Sequence, residues 1–283
     1  MVAAVLRVAH GWAEDAIAIV PIRTSGDRIQ DRALAEVGGK ALWTRELDRA
    51  LLAGEIDCAV HSMKDVETER PATIAIAALL PRADVRDRLI GAETLAALPP
   101  GARVGTSSPR RRAQVLRERP DSRIVLFRGN VATRLRKLAD GEAEATLLAA
   151  AGLDRLGEGT IGHAVAIETM LPAPAQGAIG IEIRADDARR ADWFVVIDDD
   201  ATRAAVMTER ALLARLGADC RSPVAALAEP NGSGIRLRAE ILSADGDECQ
   251  AADAVVTRPG DAAAVAAALL DRASPALRAL FEK

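Results

Sequence analysis

Short apolar segments alternate with polar turns and amphipathic helices through the first half of the chain, and this alternation restricts the possible folds most. The apolar, partly β-branched segments predict strands over 16–22, 57–61, 73–80, 103–106, 124–127 and 145–151. Helical patterns cover 42–53, 109–119 and 130–138. The order predicts an α/β fold with parallel strands. Because ligands collect beyond the carboxyl ends of such strands, the turns that follow them form the candidate site.

The last third of the chain has a different pattern. A helical segment over 202–216 is followed by a polar loop, 217–223. Strand-like segments and a final helix follow, over 224–228, 235–242, 254–257 and from about 261. A chain of 283 residues holds about two or three domains. We therefore expect the last third to form a smaller, separate α/β domain.

One stretch is strongly basic although the chain carries a net charge of -4. Residues 100–137 hold eleven Lys or Arg and two Asp or Glu. The arginines lie beside Gly, Ser, Thr and Asn in two turns, 105–112 and 128–134. Small residues let the backbone approach a ligand, and Arg binds carboxylate or phosphate through two parallel hydrogen bonds. The pattern predicts a pocket for a polyanion, and the alternative is a solvated basic face.

Composition narrows the function further. Tyr is absent and aromatic residues make up 2% of the chain, which argues against a nucleic-acid binder that stacks bases. No apolar run reaches the ~18 residues of a membrane span, and the first residues lack the pattern of a signal peptide. The odd number of widely spaced cysteines, Cys58, Cys220 and Cys249, predicts a reducing cytoplasm rather than a disulfide framework. No spacing of Cys or His suggests a metal.

Five segments, in this order, resemble the motifs of the hydroxymethylbilane synthase family, also called porphobilinogen deaminases. They are Val-Gly-Gly-Lys at 37–40, Ala-Val-His-Ser-Met-Lys-Asp at 59–65, Gly-Thr-Ser-Ser-Pro-Arg-Arg at 105–111, Arg-Gly-Asn-Val-Ala-Thr-Arg at 128–134 and Gln-Gly-Ala-Ile-Gly at 176–180. A loop cysteine, Cys220, follows a helix in the last third. The combination is far more specific than any one motif, and it extends from about residue 17 to the end of the chain.

The resemblance implies three domains. Two are lobes like those of periplasmic binding proteins, expected over 1–80 with 178–196 and over 84–172, and the third, over 200–283, carries the cysteine. It implies a dipyrromethane cofactor attached to Cys220 through a thioether. The family condenses four porphobilinogen molecules, releases ammonia at each step, and frees hydroxymethylbilane by hydrolysis. We expect a cytoplasmic monomer with porphobilinogen as its small-molecule partner, and neither nucleic acid nor membrane.

The resemblance also implies the site residues. Each pyrrole carries acetate and propionate groups, so the growing chain is a polyanion that cationic side chains would bind. Asp65 would be catalytic, because a carboxylate stabilises the cationic azafulvene left when ammonia departs. Cofactor binding would fall to Cys220, Lys64, Ser62, Thr106, Ser107, Ser108, Arg110, Arg111, Arg128, Gly129 and Asn130. Substrate binding would fall to Arg134, Arg155, Lys40 and Gln176.

Each of these residues has a simpler interpretation. Cys220 could be a small loop hydrophobe, and Asp65 could cap a helix. Cys58 belongs to an apolar strand and is expected in the core, whereas Cys249 lies in a polar stretch and is expected to have no special role. A buried position within the same strand is predicted for His61, and a solvent-facing one for Arg112.

The chain departs from the family at its beginning. Members start with a strand, an Arg-x-Ser-Pro-Leu-Ala turn and a long helix, whereas residues 2–9, closed by Gly11, have the pattern of that helix's end. We therefore expect the first strand and its Arg and Ser to be missing. Ala175 also stands where Gly usually precedes Gln176.

Two other hypotheses follow from the same features. A truncated family member with impaired catalysis would share all of the motifs. A two-lobed anion-binding protein would share the α/β layout and the anion pocket, but would need neither Cys220 nor a third domain. Intact mass separates the synthase from the binding protein, because only the synthase carries a covalent two-pyrrole adduct on Cys220.

Overall fold

The strands form three separate sheets in the computed structural model, which describes residues 1–25 and 43–281. One sheet has five strands, and the other two have three each. The α/β fold class is confirmed. Each sheet lies within one of the three expected domain ranges, while the boundaries themselves stay a prediction.

The first sheet has the strand order β1 (Ala59–Ser62), β8 (Ile179–Arg184) and β2 (Ile74–Leu79). Both outer strands run antiparallel to β8, so the prediction of parallel pairing is wrong here. The cause is topological, because the chain enters β8 on its way back from the second sheet. Helix α2 (Arg45–Leu52), which confirms the predicted helix, buries Leu51.

The predicted strand over 16–22 is wrong. Residues 17–22 belong to neither a helix nor a strand, and no strand of the described ranges pairs with them. Ile19 and Val20 are largely exposed, at 79% and 55%. A β-branched run becomes a strand only where a neighbour supplies ladder hydrogen bonds and side-chain packing.

The first residues form a helix, as their pattern predicts. Helix α1 (Val2–His10) buries Val2 and Leu6, and ends at Gly11, which has a φ of 65°. A left-handed φ favours glycine at this position of a helix end. Helix α1 packs against α6 (Ala188–Val195), where Trp12 meets Trp193 edge to face.

The second sheet combines parallel and antiparallel pairs. Strand β4 (Arg103–Gly105) is parallel to β5 (Arg123–Val125) and β6 (Ala145–Ala149), as predicted. Strand β3 (Asp87–Ile90) is antiparallel to β6 and to β7 (His163–Ala164). The helices of this lobe are α3 (Pro109–Glu118), α4 (Val131–Ala139) and α5 (Ala150–Arg155).

The third sheet is an antiparallel meander with helices packed against it. Strands β9 (Val224–Asn231), β10 (Gly234–Leu242) and β11 (Cys249–Val256) pair in sequence order. The helices are α7 (Asp200–Leu216), α8 (Ala262–Arg272) and α9 (Pro275–Arg278). The core of this unit includes Leu212, Leu237 and Leu269. Within the described residues, none of the helices has the length and apolarity to cross a membrane.

Two crossover segments, 80–86 and 171–178, run between the first and second sheets. Glu209 on α7 is fully buried and binds both of them. Its carboxylate accepts hydrogen bonds from Arg82 (Nη1, 2.7 Å; Nη2, 3.0 Å) and from the backbone N–H of Ala175 (2.5 Å) and Ala228 (2.7 Å). Ala175 has a φ of 60°, the left-handed region that suits the glycine expected there. One carboxylate therefore joins both crossovers to the third sheet.

Candidate active site

The Asp65 turn, a single 3-10 turn over Met63–Asp65, follows β1 directly. The backbone N–H of Met63 donates to the carbonyl of Ala178 (3.1 Å), and its side chain is buried. A Cβ atom at Gly180 would lie 2.1 Å from Met63 Sδ, so only glycine leaves room for this side chain. The buried Met63 anchors the turn, and Lys64 and Asp65 are half-buried beside it.

A buried charge network lies behind β1. Glu182 on β8 is fully buried and accepts two hydrogen bonds from Arg70, both of 2.8 Å. Arg70 also binds Asp48 (2.5 Å) and Glu67 (2.9 Å). His61 is buried in β1, as predicted, and its Nε2 lies 3.1 Å from Glu182 Oε2. The network fixes β1 and the segment after the Asp65 turn.

The two arginine-bearing turns of the second lobe lie at one sheet edge. Gly105 at the end of β4 pairs with Val125 at the end of β5, and the strands are parallel. Gly129 has a φ of 102°, which an L side chain rarely adopts. The turns 105–111 and 128–134 are therefore brought together, as the sequence predicts.

Three of the predicted polar side chains shape these turns. Ser108 Oγ caps α3 by accepting the N–H of Arg111 (3.4 Å), and Asn130 Oδ1 caps α4 by accepting the N–H of Thr133 (2.9 Å). Thr106 is buried, and its Oγ1 accepts the N–H of Ser108 (3.1 Å). Direct contact of these groups with a ligand stays a prediction. Ser107 in the turn after β4 is half-buried, as is Ser62 at the end of β1 in the first lobe.

Arg110 and Arg111 share one buried carboxylate. Asp87 Oδ2 accepts a hydrogen bond from Arg110 (2.8 Å), and Oδ1 accepts one from Arg111 (2.8 Å) and one from Gln176 Nε2 (2.9 Å). All four side chains are buried. Burial alone would raise the pKa of Asp87, but the two guanidinium charges hold it well below its usual range. The predicted contacts of Arg110 with the cofactor and of Gln176 with the substrate are not tested by this arrangement.

Opposite charges converge on the Asp65 turn. Burial raises the pKa of Asp65, although the charges of Lys64, Arg134 and Arg111 oppose that rise. Burial lowers the pKa of Lys64 to about 8, with Asp65 opposing and Arg111 adding to the effect. For Arg134, burial and the charges of Arg111 and Arg128 lower the pKa to about 10. The Asp65 turn and both arginine turns therefore lie within electrostatic reach of one another.

Cys220 lies on a tight loop of the third domain. The loop follows Gly217, which ends α7 with a φ of 59°, and Asp219 accepts hydrogen bonds from the N–H of Arg221 (2.9 Å) and Ser222 (3.0 Å). Cys220 is an exposed residue. Surrounding protein atoms and the charges of Asp219 and Asp65 nonetheless raise the pKa of Cys220 to about 12, with Arg221 opposing. The cysteine is therefore within electrostatic reach of Asp65.

The remaining predicted residues lie elsewhere. Arg155 ends α5 and donates to the carbonyl of Gly177 in the second crossover (2.7 Å). Arg112 is exposed, as predicted, and Cys58 packs against the first core. Cys249 begins β11, where its Sγ lies 3.5 Å from an Arg117 nitrogen. Lys40 and its motif, 37–40, lie outside the described residues.

Sequence reasoning missed several residues that build the site. Asp87 is the first residue of the short strand β3, and no motif in the sequence marks it. Arg70, Glu182 and Arg210 act through partners that are distant in the chain. Their side chains carry no motif of their own.

A family profile described as "Porphobilinogen deaminase, dipyromethane cofactor binding domain" matches residues 1–192. A second, "Porphobilinogen deaminase, C-terminal domain", matches residues 203–272. The chain belongs to the porphobilinogen deaminase family. Both the resemblance of the five motifs and the three-part organisation agree with this family assignment.

Curated relatives support the same family. The porphobilinogen deaminase of Sphingopyxis alaskensis is 61% identical over 287 residues, which cover 99% of this chain and 91% of that protein. The enzyme of Paracoccus denitrificans is 54% identical over a match that covers 88% of this chain and 81% of that protein. The enzyme of Nitrobacter hamburgensis is 51% identical, and the match covers 85% of this chain and 77% of that protein.

Among solved structures, a putative periplasmic sulfonate-binding protein from Methylobacillus flagellatus has a TM-score of 0.34 at 16% identity, covering 58% of this chain and 50% of that one. An ancestral amino acid-binding protein has a TM-score of 0.30 at 17% identity, covering 51% and 63%. Both likenesses are distant, and the family assignment does not depend on them.

In this member of the porphobilinogen deaminase family, the residues at the site suit a covalently held polycarboxylate. Cys220 is an exposed residue with a thiol for attachment. Lys64, Arg111 and Arg134 provide positive charge around Asp65. Arg110 Nε and Arg111 Nε are buried and have no hydrogen-bond partner within the described residues, so donor capacity remains there. A dipyrromethane, with its carboxylate side chains, fits this donor set.

Proposed function

We propose that the chain is a transferase of tetrapyrrole biosynthesis that condenses four porphobilinogen molecules into hydroxymethylbilane and releases ammonia. The convergence of Lys64, Asp65, Arg111 and Arg134 beside Cys220 is the observation that supports it best. A dipyrromethane bound at Cys220 would supply the pyrrole to which substrate units are added.

The cationic residues would bind and orient carboxylates. Arg111 and Arg134 act on the charge of Asp65, and Arg128 acts on that of Arg134. Together they would attract the carboxylates of the pyrroles, a group that guanidinium side chains bind well. Lys64 would add a point charge that stays largely protonated near pH 7, since its pKa is about 8. Ser62, Ser107 and the turn backbone would add hydrogen bonds at the two strand ends.

Asp65 would be the catalytic group. Loss of ammonia from porphobilinogen develops positive charge on the pyrrole ring, and a carboxylate held beside it stabilises that charge. The raised pKa of Asp65 also brings it closer to the range in which a carboxyl group can exchange a proton with substrate. Asp87 cannot share this task, because two guanidinium groups occupy its oxygens.

Arg110 and Gln176 would have a supporting role. Arg110 donates to Asp87, to Gln114 (2.8 Å) and to the carbonyl of Leu171 (2.9 Å). Gln176 donates to Asp87 and to the carbonyl of Val85 (2.7 Å). These bonds fix the carboxylate that in turn orients Arg111. We also propose that the protein acts in the cytoplasm as a monomer.

Intact mass tests this function most directly. We expect the purified chain to carry a two-pyrrole adduct and to gain further pyrrole units when porphobilinogen is added. Cys220→Ser should remove both the adduct and porphobilinogen consumption, while the matched variants Cys58→Ser and Cys249→Ser should keep them. An adduct that persists in Cys220→Ser, or that maps to another cysteine, would contradict the assignment.

A further inference from the structure

One arginine of the third domain binds three consecutive carbonyl groups just after the Asp65 turn. Arg210 on α7 donates to the carbonyl oxygens of Glu67 (2.6 Å), Thr68 (2.9 Å) and Val66 (3.4 Å). Its residue is 6% exposed. A buried guanidinium must find acceptors for its donors, and here the backbone of the first lobe supplies them.

A second bond fastens the same segment to the cysteine loop. Thr68 Oγ1 donates to the carbonyl of Ala218 (3.0 Å), which lies between the end of α7 and Cys220. Val66 is buried in an apolar cluster with Val206, one turn before Arg210 on α7. We call residues 66–68, with Arg210 as their partner, the bracket.

The bracket connects the two reactive positions through a few directly bonded residues. It begins at the residue after Asp65 and ends two residues before Cys220. Other contacts between the third domain and the lobes involve different segments: Glu209 binds the crossovers, and Gln114 on α3 reaches Glu240 on β10 (3.2 Å). A shift of the bracket would therefore change the distance between Asp65 and Cys220 directly.

We propose that Arg210 and Thr68 are positioning residues that set the separation between the Asp65 carboxylate and the Cys220 sulfur. The proposal rests on the roles assigned above to these two residues. As a consequence, the point of attachment at Cys220 stays at a fixed distance from Asp65 during substrate addition, even though the carboxylate and the sulfur belong to different domains.

The free thiol reports on this separation before any pyrrole is attached. The charged groups that act on Cys220 are Asp219, Asp65, Glu67 and Arg221. Asp219 and Arg221 belong to the cysteine loop itself, whereas Asp65 and Glu67 are held by the bracket. Loosening the bracket should let the two bracket-held carboxylates recede, so the pKa of the Cys220 thiol should fall.

The experiment uses the full chain with Cys220 unloaded, produced in a host that cannot make porphobilinogen. Iodoacetamide labelling of Cys220 is followed by peptide mass at pH 8.5. Because thiolate is the reactive form, we expect Arg210→Met to react about threefold to tenfold faster, the equivalent of half to one pKa unit. Arg210→Lys keeps one donor group, so its labelling rate should lie between those of the wild type and Arg210→Met.

Arg203→Met is the matched control. Arg203 lies two turns earlier on the same helix and also donates to a carbonyl of the first lobe, that of Ala77 (2.9 Å), on the far side of the bracket from Cys220. Its loss should lower the melting temperature and leave the labelling rate unchanged. Thr68→Val removes a single bond and should give a smaller increase than Arg210→Met, and it serves as the test variant if Arg210→Met does not fold.

A double-mutant cycle separates positioning from general loosening. If Arg210 acts through Asp65, then Arg210→Met should have much less effect on labelling in an Asp65→Asn background. In the loaded enzyme, the same variant should lower kcat by roughly ten- to a hundredfold with little change in KM, since a misplacement of about 1 Å can cost that much.

The proposal is overturned if a folded Arg210→Met or Thr68→Val variant labels at the wild-type rate. It is equally overturned if the increase is undiminished in the Asp65→Asn background, because the bracket would then act on access alone. If the wild-type chain never acquires a pyrrole adduct, the proposed function fails, but the labelling comparison still decides whether the bracket positions the two groups.

Discussion

Asp65 and Asp87 are two carboxylates in one cluster of positive charge, yet their pKa values move in opposite directions. The charges of Arg110 and Arg111, which also donate hydrogen bonds to Asp87, overcome burial and hold the pKa of Asp87 well below the usual range. Asp65 feels the charges of Lys64, Arg134 and Arg111, but burial still raises its pKa. Two guanidinium charges in direct contact with Asp87 outweigh the effect of burial there, whereas the charges around Asp65 do not.

The difference divides the site into a scaffold and a reactive part. Asp87 has its oxygens committed to protein donors, so it gives stability. Asp65 keeps an unfavourable buried charge, which is characteristic of groups that act on a substrate. The following variants test this division, in order of expected effect.

Removing the charge of Asp87 should have the largest effect. In Asp87→Asn, two buried guanidinium groups lose their counter-charge, and we expect the free energy of unfolding at pH 7 to fall by about 3–5 kcal/mol. Urea unfolding measures it. The control is Asp121→Asn, which removes the exposed partner of Arg119 and should cost far less, because exposed ion pairs contribute little to stability. Similar losses in the two variants would mean that the Asp87 cluster is not a stabilising centre.

Asp65→Asn should lower turnover by roughly 10²–10³-fold, because it removes the charge that stabilises the transition state. Its effect on stability should have the opposite sign from that of Asp87→Asn. A raised carboxyl pKa means that ionisation costs stability once the pH exceeds about 4, so the neutral amide should raise the unfolding free energy at pH 7. Steady-state kinetics and urea unfolding of one preparation give both values. Normal turnover with a lowered stability would reassign Asp65 to the scaffold.

The pH dependence of stability should expose Lys64. Its pKa of about 8 lies below that of an unfolded lysine, about 10.4, so the unfolded state binds more protons between these values. Stability from this group should therefore rise with pH across that window, by at most about 3 kcal/mol. Urea unfolding at pH 8 and pH 10 should show the rise in the wild type and not in Lys64→Met. If the unfolding free energy changes equally with pH in the two proteins, then the fold does not lower the pKa of Lys64.

Lysine substitutions should distinguish the two arginines that share Asp87. Each keeps the charge but loses part of the fork, at a cost of about 1–2 kcal/mol in unfolding free energy. Arg110→Lys should leave KM for porphobilinogen nearly unchanged. Arg111→Lys should raise KM as well, because Arg111, unlike Arg110, also acts on the charge of Asp65. If only Arg110→Lys raised KM, then Arg110 would act on the substrate and Arg111 would have the supporting role.

The local parts of the site could be predicted from the sequence. A short apolar strand followed by Ser, Gly and Arg residues is a local pattern, and it located the Asp65 turn and both arginine turns. The cap residues Ser108 and Asn130 also lie where a helix begins in the sequence pattern. In each case the interacting groups are only a few residues apart.

Contacts between distant residues could not be predicted in this way. Nothing in the pattern at 16–22 shows whether another strand will pair with it, and the segment is unpaired in the described structure. The antiparallel direction of β8 depends on the path of the chain through the second sheet. Arg210 finds its acceptors in another domain, and no spacing along the sequence marks such a pair.

The position of Glu209 has a consequence for how the molecule melts. Three sheets with separate cores would ordinarily lose their structure in separate steps as temperature rises. The donors to Glu209 come from both crossovers and from β9, so loosening any one of these segments leaves a buried carboxylate short of partners. The loss of these hydrogen bonds therefore destabilises all three sheets together. A single carboxylate thereby couples their unfolding, and the chain should pass from native to unfolded in one cooperative heat-absorption peak.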